Sequence, residues 1–257
     1  MQSKKLAGIR IDSVGVDEVI KKIMTSIEEN KKTILFYLNI HAFYISFKDE
    51  VFKKILNKGD LVFCDGFGVK IGAKMRGMTI GERMTPPDWI DQLCYELSLK
   101  GKSLFLLGDE PGIADKCAEK LLKTHPQLKI VGTYHGFFDK EGKENDEVVD
   151  MINKSDSDVL LIGFGMPLQE KWIEANCHRI NTKVFLPVGA MFRWVSGIEK
   201  RAPRFLSSNG FEGVWRLITN PGKVWKRYLV EVPIFFFRIL KESYSLNRTK
   251  SEFSQEK

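Results

Sequence analysis

The chain has 257 residues, of which 43% are hydrophobic and 28% charged, and its net charge is +7. That length can bury a full core, and the balance excludes a disordered polymer. No run approaches the ~20 apolar residues of a membrane-spanning helix, and the opening Met1-Gln2-Ser3-Lys4-Lys5 holds no signal-peptide core. The four cysteines (Cys64, Cys94, Cys117, Cys177) are far apart, with no CxxC pair and no Cys/His ligand spacing. They read as reduced, mostly buried thiols of a cytosolic protein, without a zinc site.

Residues 16–29 repeat apolar side chains at i, i+3 and i+4 (Val16, Val19, Ile20, Ile23, Met24, Ile27), the pattern of an amphipathic helix. A strand is predicted at Thr33–Leu38, then a helical stretch from Asn39-Ile40-His41 to about Leu56. A second strand, Leu61–Cys64, ends on Asp65, and a helix runs from there to about Met75. Thr85-Pro86-Pro87-Asp88 punctuates the chain, prolines being tolerated at a helix start, and a helix predicted over Asp88–Leu99 carries Trp89, Ile90, Leu93 and Leu97 on one side. Further strands are predicted at 103–107, 129–132, 158–162 and 183–188, with helices to Leu122, over 145–153 and from Leu168 to about His178. Near-continuous apolar strands alternating with helices imply an α/β fold: a Rossmann-like, largely parallel sheet covered on both faces. Trp172 lies on an amphipathic stretch and reads as structural.

After Gly197 the character changes. Residues 193–240 hold nine Lys and Arg against three acidic residues, so most of the net charge sits there and calls for an anionic partner. A short helix is predicted over 210–219 and a long basic, aromatic one over 222–240, with a solvated tail from Lys241. We divide the chain into an α/β catalytic domain (1–198), a basic helical appendage (199–243) and a flexible tail (244–257). The rings of Trp215, Trp225, Tyr228 and Phe235–Phe237 beside Arg and Lys suit a membrane interface; alternatively they pack on the sheet domain or on a second subunit.

The candidate site follows from the strand ends, because ligands of open α/β sheets bind outside the carboxyl ends of the strands. Asp65 is followed by Gly66 and Gly68, which permit a tight turn and close approach of a ligand. The carboxylate is placed to act as an acid or base, or to cap the following helix. Gly108…Pro111-Gly112 can cradle a phosphate or simply make a tight turn, and Gly163-Phe164-Gly165 forms a third glycine-bearing strand end. No GxGxxG fingerprint, P-loop, GxSxG, HExxH or EF-hand pattern occurs, and no Asp-x-Asp closes a strand as a metal-holding motif would.

These pieces, in order, resemble the WecG/TagA/CpsF family of bacterial glycosyltransferases over about residues 5–230. The matching motifs are Leu38-Asn39, Asp65-Gly66-Phe67-Gly68-Val69, Glu82-Arg83 with Asp88, and Leu106-Leu107-Gly108 with Pro111-Gly112. They continue with Gly132-Thr133-Tyr134-His135-Gly136-Phe137-Phe138, Gly163-Phe164-Gly165-Met166-Pro167 and Gln169-Glu170-Lys171-Trp172. Val188-Gly189, Arg201-Ala202-Pro203 and the basic Trp215-Arg216-Leu217…Trp225-Lys226-Arg227-Tyr228 complete them.

The resemblance implies an inverting transfer of N-acetylmannosamine or its uronic acid from a UDP donor to an undecaprenyl-diphosphate-linked sugar, for cell-surface polysaccharide. It implies no metal or other cofactor, and a peripheral position on the inner face of the cytoplasmic membrane, contacted through the appendage. Asp65 is then the base, in a partly buried setting that can raise a carboxylate's pKa. Asn39, Arg83 and Gln169 are pocket positions for sugar hydroxyls, the acetamido group or phosphate. Arg216, Lys223, Lys226 and Arg227 are the diphosphate clamp, with Arg able to bind bidentately. Tyr37, Gly66, Gly68, Asp88, Gly108, Gly112, Gly163, Gly165, Glu170, Val188 and Gly189 complete the expected substrate site. Phe137, where the family often has Tyr, either stacks on uracil or packs in the core.

This chain departs from the family at several points. Tyr37-Leu38-Asn39 replaces a common Thr-x-Asn, which moves a hydroxyl outward on a larger ring. Pro86-Pro87-Asp88 replaces Gly-Thr-Asp, Leu168 a frequent Lys, and Arg193 a frequent Asp. These changes bear on donor and acceptor identity more than on the reaction class. A homo-oligomer that shelters the apolar faces is compatible with the sequence. A non-catalytic sugar-nucleotide or lipid-phosphate binder is the main alternative. A nucleic-acid partner is not expected, because the aromatics and cations lie on one helix instead of across a sheet face.

Overall fold

In a computed structural model, the backbone of residues 2–203, 205–206, 212–219 and 221–255 is described, and the side chains of Arg216, Lys223 and 245–255 are not. Six parallel strands form the central sheet: β3 (Thr33–Leu38), β4 (Leu61–Cys64), β5 (Ser103–Gly108), β6 (Lys129–Tyr134), β7 (Val159–Gly163) and β8 (Val184–Pro187). Their spatial order is β4-β3-β8-β7-β5-β6. The α/β expectation holds, and each predicted strand is present to within two residues.

The helices divide between the two faces. On one face α1 (Val16–Glu28), α5 (Pro86–Leu99), α6 (Ile113–Thr124) and α9 (Met191–Val195) bury residues such as Ile23, Leu93, Cys117 and Phe192. The other face takes α2 (Ile40–Lys48), α3 (Glu50–Lys58), α4 (Phe67–Met75), α7 (Gly142–Ser155) and α8 (Leu168–Asn176), through Phe43, Phe52, Ala73, Ile152 and Trp172. The helix after β3 thus leaves to one face and the helix after β8 to the other. Neighbouring strands whose connections diverge in this way open a cleft at their carboxyl ends.

Two features were not read from the sequence. An antiparallel hairpin, β1 (Gln2–Leu6) and β2 (Ile9–Ser13), turns at Ala7 and Gly8, both at positive φ. It covers the sheet edge: Asp12 Oδ2 accepts the Val62 N–H at 2.7 Å, so the backbone of the outer strand is not left bare. The helix predicted to run to Leu56 is broken at Asp49, whose carboxylate accepts from Phe52 N at 2.9 Å and caps α3.

The C-terminal segment contains α10 (Glu212–Thr219), α11 (Pro221–Lys226), a π-helical turn (Arg227–Glu231) and α12 (Val232–Gln255). The single helix expected from Gly222 is therefore interrupted, and it continues past Leu240 where a solvated tail was expected. Glu242 is tied to Arg76 of α4's end at 3.2 Å. Phe235 and Ile239 are fully buried against α4, where Gly72 has no side chain to obstruct the Phe235 ring. Phe235 also meets Phe43 edge-on at 4.6 Å. The outer side of the same helix exposes Phe237, Leu240 and Tyr244. The packing reading of the aromatic run thus holds for the inner side of the helix, and the rings of the outer side are left exposed. No described helix is long and apolar enough to cross a membrane.

Candidate active site

A cavity of about 420 Å³ lies at the carboxyl ends of β4, β3, β8 and β7, roofed by the C-terminal segment. Asp65 lines it beside Tyr37, Asn39, Arg83, Thr85, Gly189 and Arg227. Gly66, at φ +97°, turns the chain from β4 into α4, and Gly68 lets α4 approach Ile40 more closely than any Cβ would permit.

Among the described residues, two neutral donors hold the Asp65 carboxylate. Asn39 caps α2, its Oδ1 accepting the Ala42 N–H at 2.9 Å. Since that backbone group can only donate, the Asn39 amide must turn its Nδ2 the other way, where it donates to Asp65 Oδ2 at 3.1 Å. On the other oxygen, Thr85 Oγ1 donates to Asp65 Oδ1 at 2.9 Å and accepts from Arg83 Nη1 at 2.8 Å. The segment carrying Arg83 and Thr85 is held across the end of β4 by Met84 N donating to the Cys64 carbonyl at 2.8 Å. Asp88 then bridges two guanidinium groups, Arg83 at 2.9 Å and Arg201 at 2.6 Å. Asp88 supports the site from outside the cavity lining.

A second network closes the floor. Gln169 Oε1 accepts from Gly165 N and Gly189 N, both at 3.2 Å. Its Nε2 donates to Tyr37 Oη at 3.2 Å and to Glu170 Oε1 at 2.7 Å. Glu170 is buried, its Oε2 has no hydrogen-bond partner among the described residues, and loss of hydration pushes its pKa up to about 8. Burial, with Glu170 and Asp65 nearby, also pushes the Tyr37 phenol upward, so both groups hold their protons at neutral pH.

The roof brings in Arg227 and Tyr228. His41 Nδ1 lies 2.9 Å from Glu231 of the π-helical turn and ties that turn to the start of α2. Of the expected clamp, Arg227 reaches the cavity. Lys226 lies elsewhere, its ammonium 5.7 Å from the Trp225 ring centroid. The side chains of Arg216 and Lys223 lie outside the described residues.

Asp65, Asn39, Arg83, Tyr37, Gly66, Gly68, Gly165, Val188, Gly189 and Arg227 all line one cavity, with Gln169 and Glu170 directly behind it. Gly108, Gly112, Gly163 and Phe137 stand apart from that lining. Gly108 and Gly163 are paired across β5 and β7, where a Cβ on Gly108 would meet the Gly163 backbone at 2.6 Å. Gly112 opens α6 in a left-handed conformation. Phe137, 68% exposed beyond the edge strand β6, does not pack in the core. Arg193 is met by Asp109 and Glu110, each at 2.7 Å, so its charge is balanced locally. Thr85, His41, Trp194 and Tyr228 line the cavity and were not anticipated. Thr85 carried a faint signal: a hydroxyl at a helix start, two residues after Arg83. Among the described residues, no group of three His, Cys, Asp or Glu gathers as a metal site would require.

The model of the glycosyl transferase WecG/TagA/CpsF family matches residues 4–249. The chain belongs to this family. Among curated WecG/TagA/CpsF relatives, an N-acetylglucosaminyldiphosphoundecaprenol N-acetyl-beta-D-mannosaminyltransferase of Bacillus spizizenii is 27% identical over 217 residues, 84% of this chain and 82% of the relative. The enzyme of the same name from Staphylococcus aureus is 22% identical over 249 residues, 95% of both chains. A Bacillus subtilis counterpart is 26% identical over 216 residues, 84% of this chain and 82% of its own length. Within this WecG/TagA/CpsF member, the sheet, most of the hairpin and much of the C-terminal segment fall inside the matched span.

Proposed function

We propose that the protein transfers an N-acetylmannosamine-type sugar from UDP to a sugar carried on undecaprenyl diphosphate. The reaction proceeds with inversion and without a metal. Asp65 accepts the proton of the acceptor hydroxyl as its oxygen attacks the anomeric carbon. The bond between that carbon and the UDP oxygen breaks, and the electron pair leaves on the diphosphate. A single displacement of this kind inverts the anomeric centre. Arg227 and Arg83 supply positive charge where the diphosphate charge develops, the role a metal plays in other transferases. The exposed Phe237, Leu240 and Tyr244, with the basic residues of the C-terminal segment, rest on the anionic inner face of the cytoplasmic membrane, where a polyprenyl acceptor is presented.

The observation that carries this reading is the fixed Asp65 carboxylate in the same cavity as Arg227. Its amide and hydroxyl neighbours, Asn39 and Thr85, each hold one of its oxygens. Release of UDP from UDP-N-acetylmannosamine is to be measured with N-acetylglucosaminyl-diphosphoundecaprenol in mixed micelles, with and without EDTA. Turnover that survives the chelator and falls by at least about 10²-fold in Asp65→Asn is expected. Full activity in that variant would remove Asp65 as the base, and loss of turnover in EDTA would remove the metal-free mechanism.

A further inference from the structure

The network beneath the cavity has a direction. Gln169 Oε1 faces two backbone N–H groups, which can only donate, so the orientation of its amide is settled by chemistry. Both hydrogens on Nε2 are then committed, one to Tyr37 Oη and one to Glu170 Oε1. Tyr37 therefore accepts from the protein side, and its own proton is directed to the cavity that its ring lines. The phenol presents a donor there, on a side chain only 5% exposed.

What this donor can serve follows from its surroundings. Tyr37 lies near Asp65 and Glu170, with Arg227 as the opposing charge. A neutral acceptor atom fits that environment better than a phosphoryl oxygen, whose charge the carboxylate would oppose. On the sugar proposed above, the acetamido carbonyl oxygen is the strongest neutral acceptor without a proton of its own, well ahead of the ether-like ring oxygen. A bare hydroxyl in its place keeps the contact only by surrendering its own donor elsewhere.

Glu170 governs whether that proton stays available. Its Oε2 is buried without a partner among the described residues, so an ionised Glu170 would be the strongest nearby competitor for the Tyr37 proton. Among the described residues, Gln169, Tyr37 and Glu170's own backbone N–H are the polar groups that face it, and none of its partners is a cation.

We propose that Tyr37 selects N-acetylated sugars by donating to the acetamido carbonyl, and that Glu170 positions it through Gln169. The proposal rests on the transferase reading above and adds what sets its sugar preference.

The test is equilibrium binding of UDP-N-acetylmannosamine and UDP-mannose to the full chain, with the ratio of the two affinities as the readout. In Tyr37→Phe, which keeps the ring, the ratio is expected to fall about tenfold, the worth of one hydrogen bond to a buried partner. Glu170→Ala is expected to lower the ratio similarly, and Glu170→Gln to restore it. The wild-type ratio is expected to decline above about pH 8, as Glu170 gives up its proton, while Glu170→Gln stays level. An unchanged ratio in Tyr37→Phe, or a Glu170→Gln that behaves like Glu170→Ala, would overturn the proposal. A wild type that binds both nucleotides equally would overturn it while leaving the transferase reading in place. A wild type that binds neither would remove the UDP-donor reading itself.

Discussion

Thr85 stands at the helix start where a side chain normally caps its own backbone, yet its hydroxyl points away and donates to Asp65 at 2.9 Å. An earlier helix cap, Asn39 of α2, serves both its backbone and Asp65. Thr85 has given up the local bond altogether. Because it also accepts from Arg83, the hydroxyl must donate towards the carboxylate, which fixes the sense of the contact. Thr85→Val keeps the shape and loses the hydroxyl, so kcat is expected to fall about tenfold, in line with one neutral hydrogen bond at a reacting group. Thr85→Ser should recover most of it. Steady-state UDP release distinguishes the two.

Among the described residues, Arg227 is the cation that the C-terminal segment delivers into the cavity. Arg227→Ala should lower kcat/KM by about 10²-fold, as expected for loss of a charge-assisted contact to a diphosphate. Arg227→Lys keeps the charge and forfeits the planar fork, so an intermediate loss is expected. Product inhibition by UDP should weaken in the same order.

Phe235 and Phe237 are two residues apart and serve opposite sides of one helix. Phe235→Ala removes a fully buried ring from the pocket over Gly72, and destabilisation of the docked helix by about 3–5 kcal/mol is expected. Faster limited proteolysis within 221–244 would report it. Phe237→Ala removes a ring that is 67% exposed, so stability should change by no more than about 0.5 kcal/mol. Its effect is expected instead on co-sedimentation with vesicles containing anionic lipid.

The proton on Glu170 makes stability depend on pH. In the unfolded chain this carboxyl loses its proton near 4.5, whereas burial in the fold delays the loss to about 8. Between those values the native state binds the extra proton, so stability is highest below the unfolded pKa and falls as pH rises towards 8. Glu170→Gln has nothing to titrate. Denaturant unfolding should show the variant gaining on the wild type from pH 4.5 to 8, by roughly 2–4 kcal/mol at the upper end.

The parallel sheet was legible because its strands are short, uninterrupted apolar runs closed by glycine or a polar residue, and that pattern depends only on local sequence. Asp65, Asn39 and Arg83 were legible through their ordered motifs, and one cavity gathers them. Thr85 was not, since its bond to Asp65 joins residues twenty positions apart and depends on how residues 77–85 return to the end of β4. The hairpin escaped notice because Lys4 and Lys5 dilute its alternation and Ala7-Gly8 is an unusual tight turn. The break at Asp49 escaped because apolar spacing continues across it. His41 was legible as a residue but not as a tie, because its partner Glu231 lies in the C-terminal segment. Gly108 and Gly163 share the look of ligand-cradling turns, yet the sheet uses them for close strand packing.

The π-helical turn at Arg227–Glu231 has one further consequence. A turn of that kind holds one more residue than an α-helical turn, so everything after it is rotated by about 100° relative to an unbroken helix. Arg227 and Tyr228 enter the cavity just as the turn begins, and Phe235 meets Gly72 just after it ends. With a regular helix, aiming the cation at the cavity would swing Phe235 off its seat. The segment is therefore fixed in length more strictly than in composition. Many side chains along it can be exchanged, but inserting or deleting a single residue between Arg227 and Phe235 would force the chain to give up either the cation or the wedge.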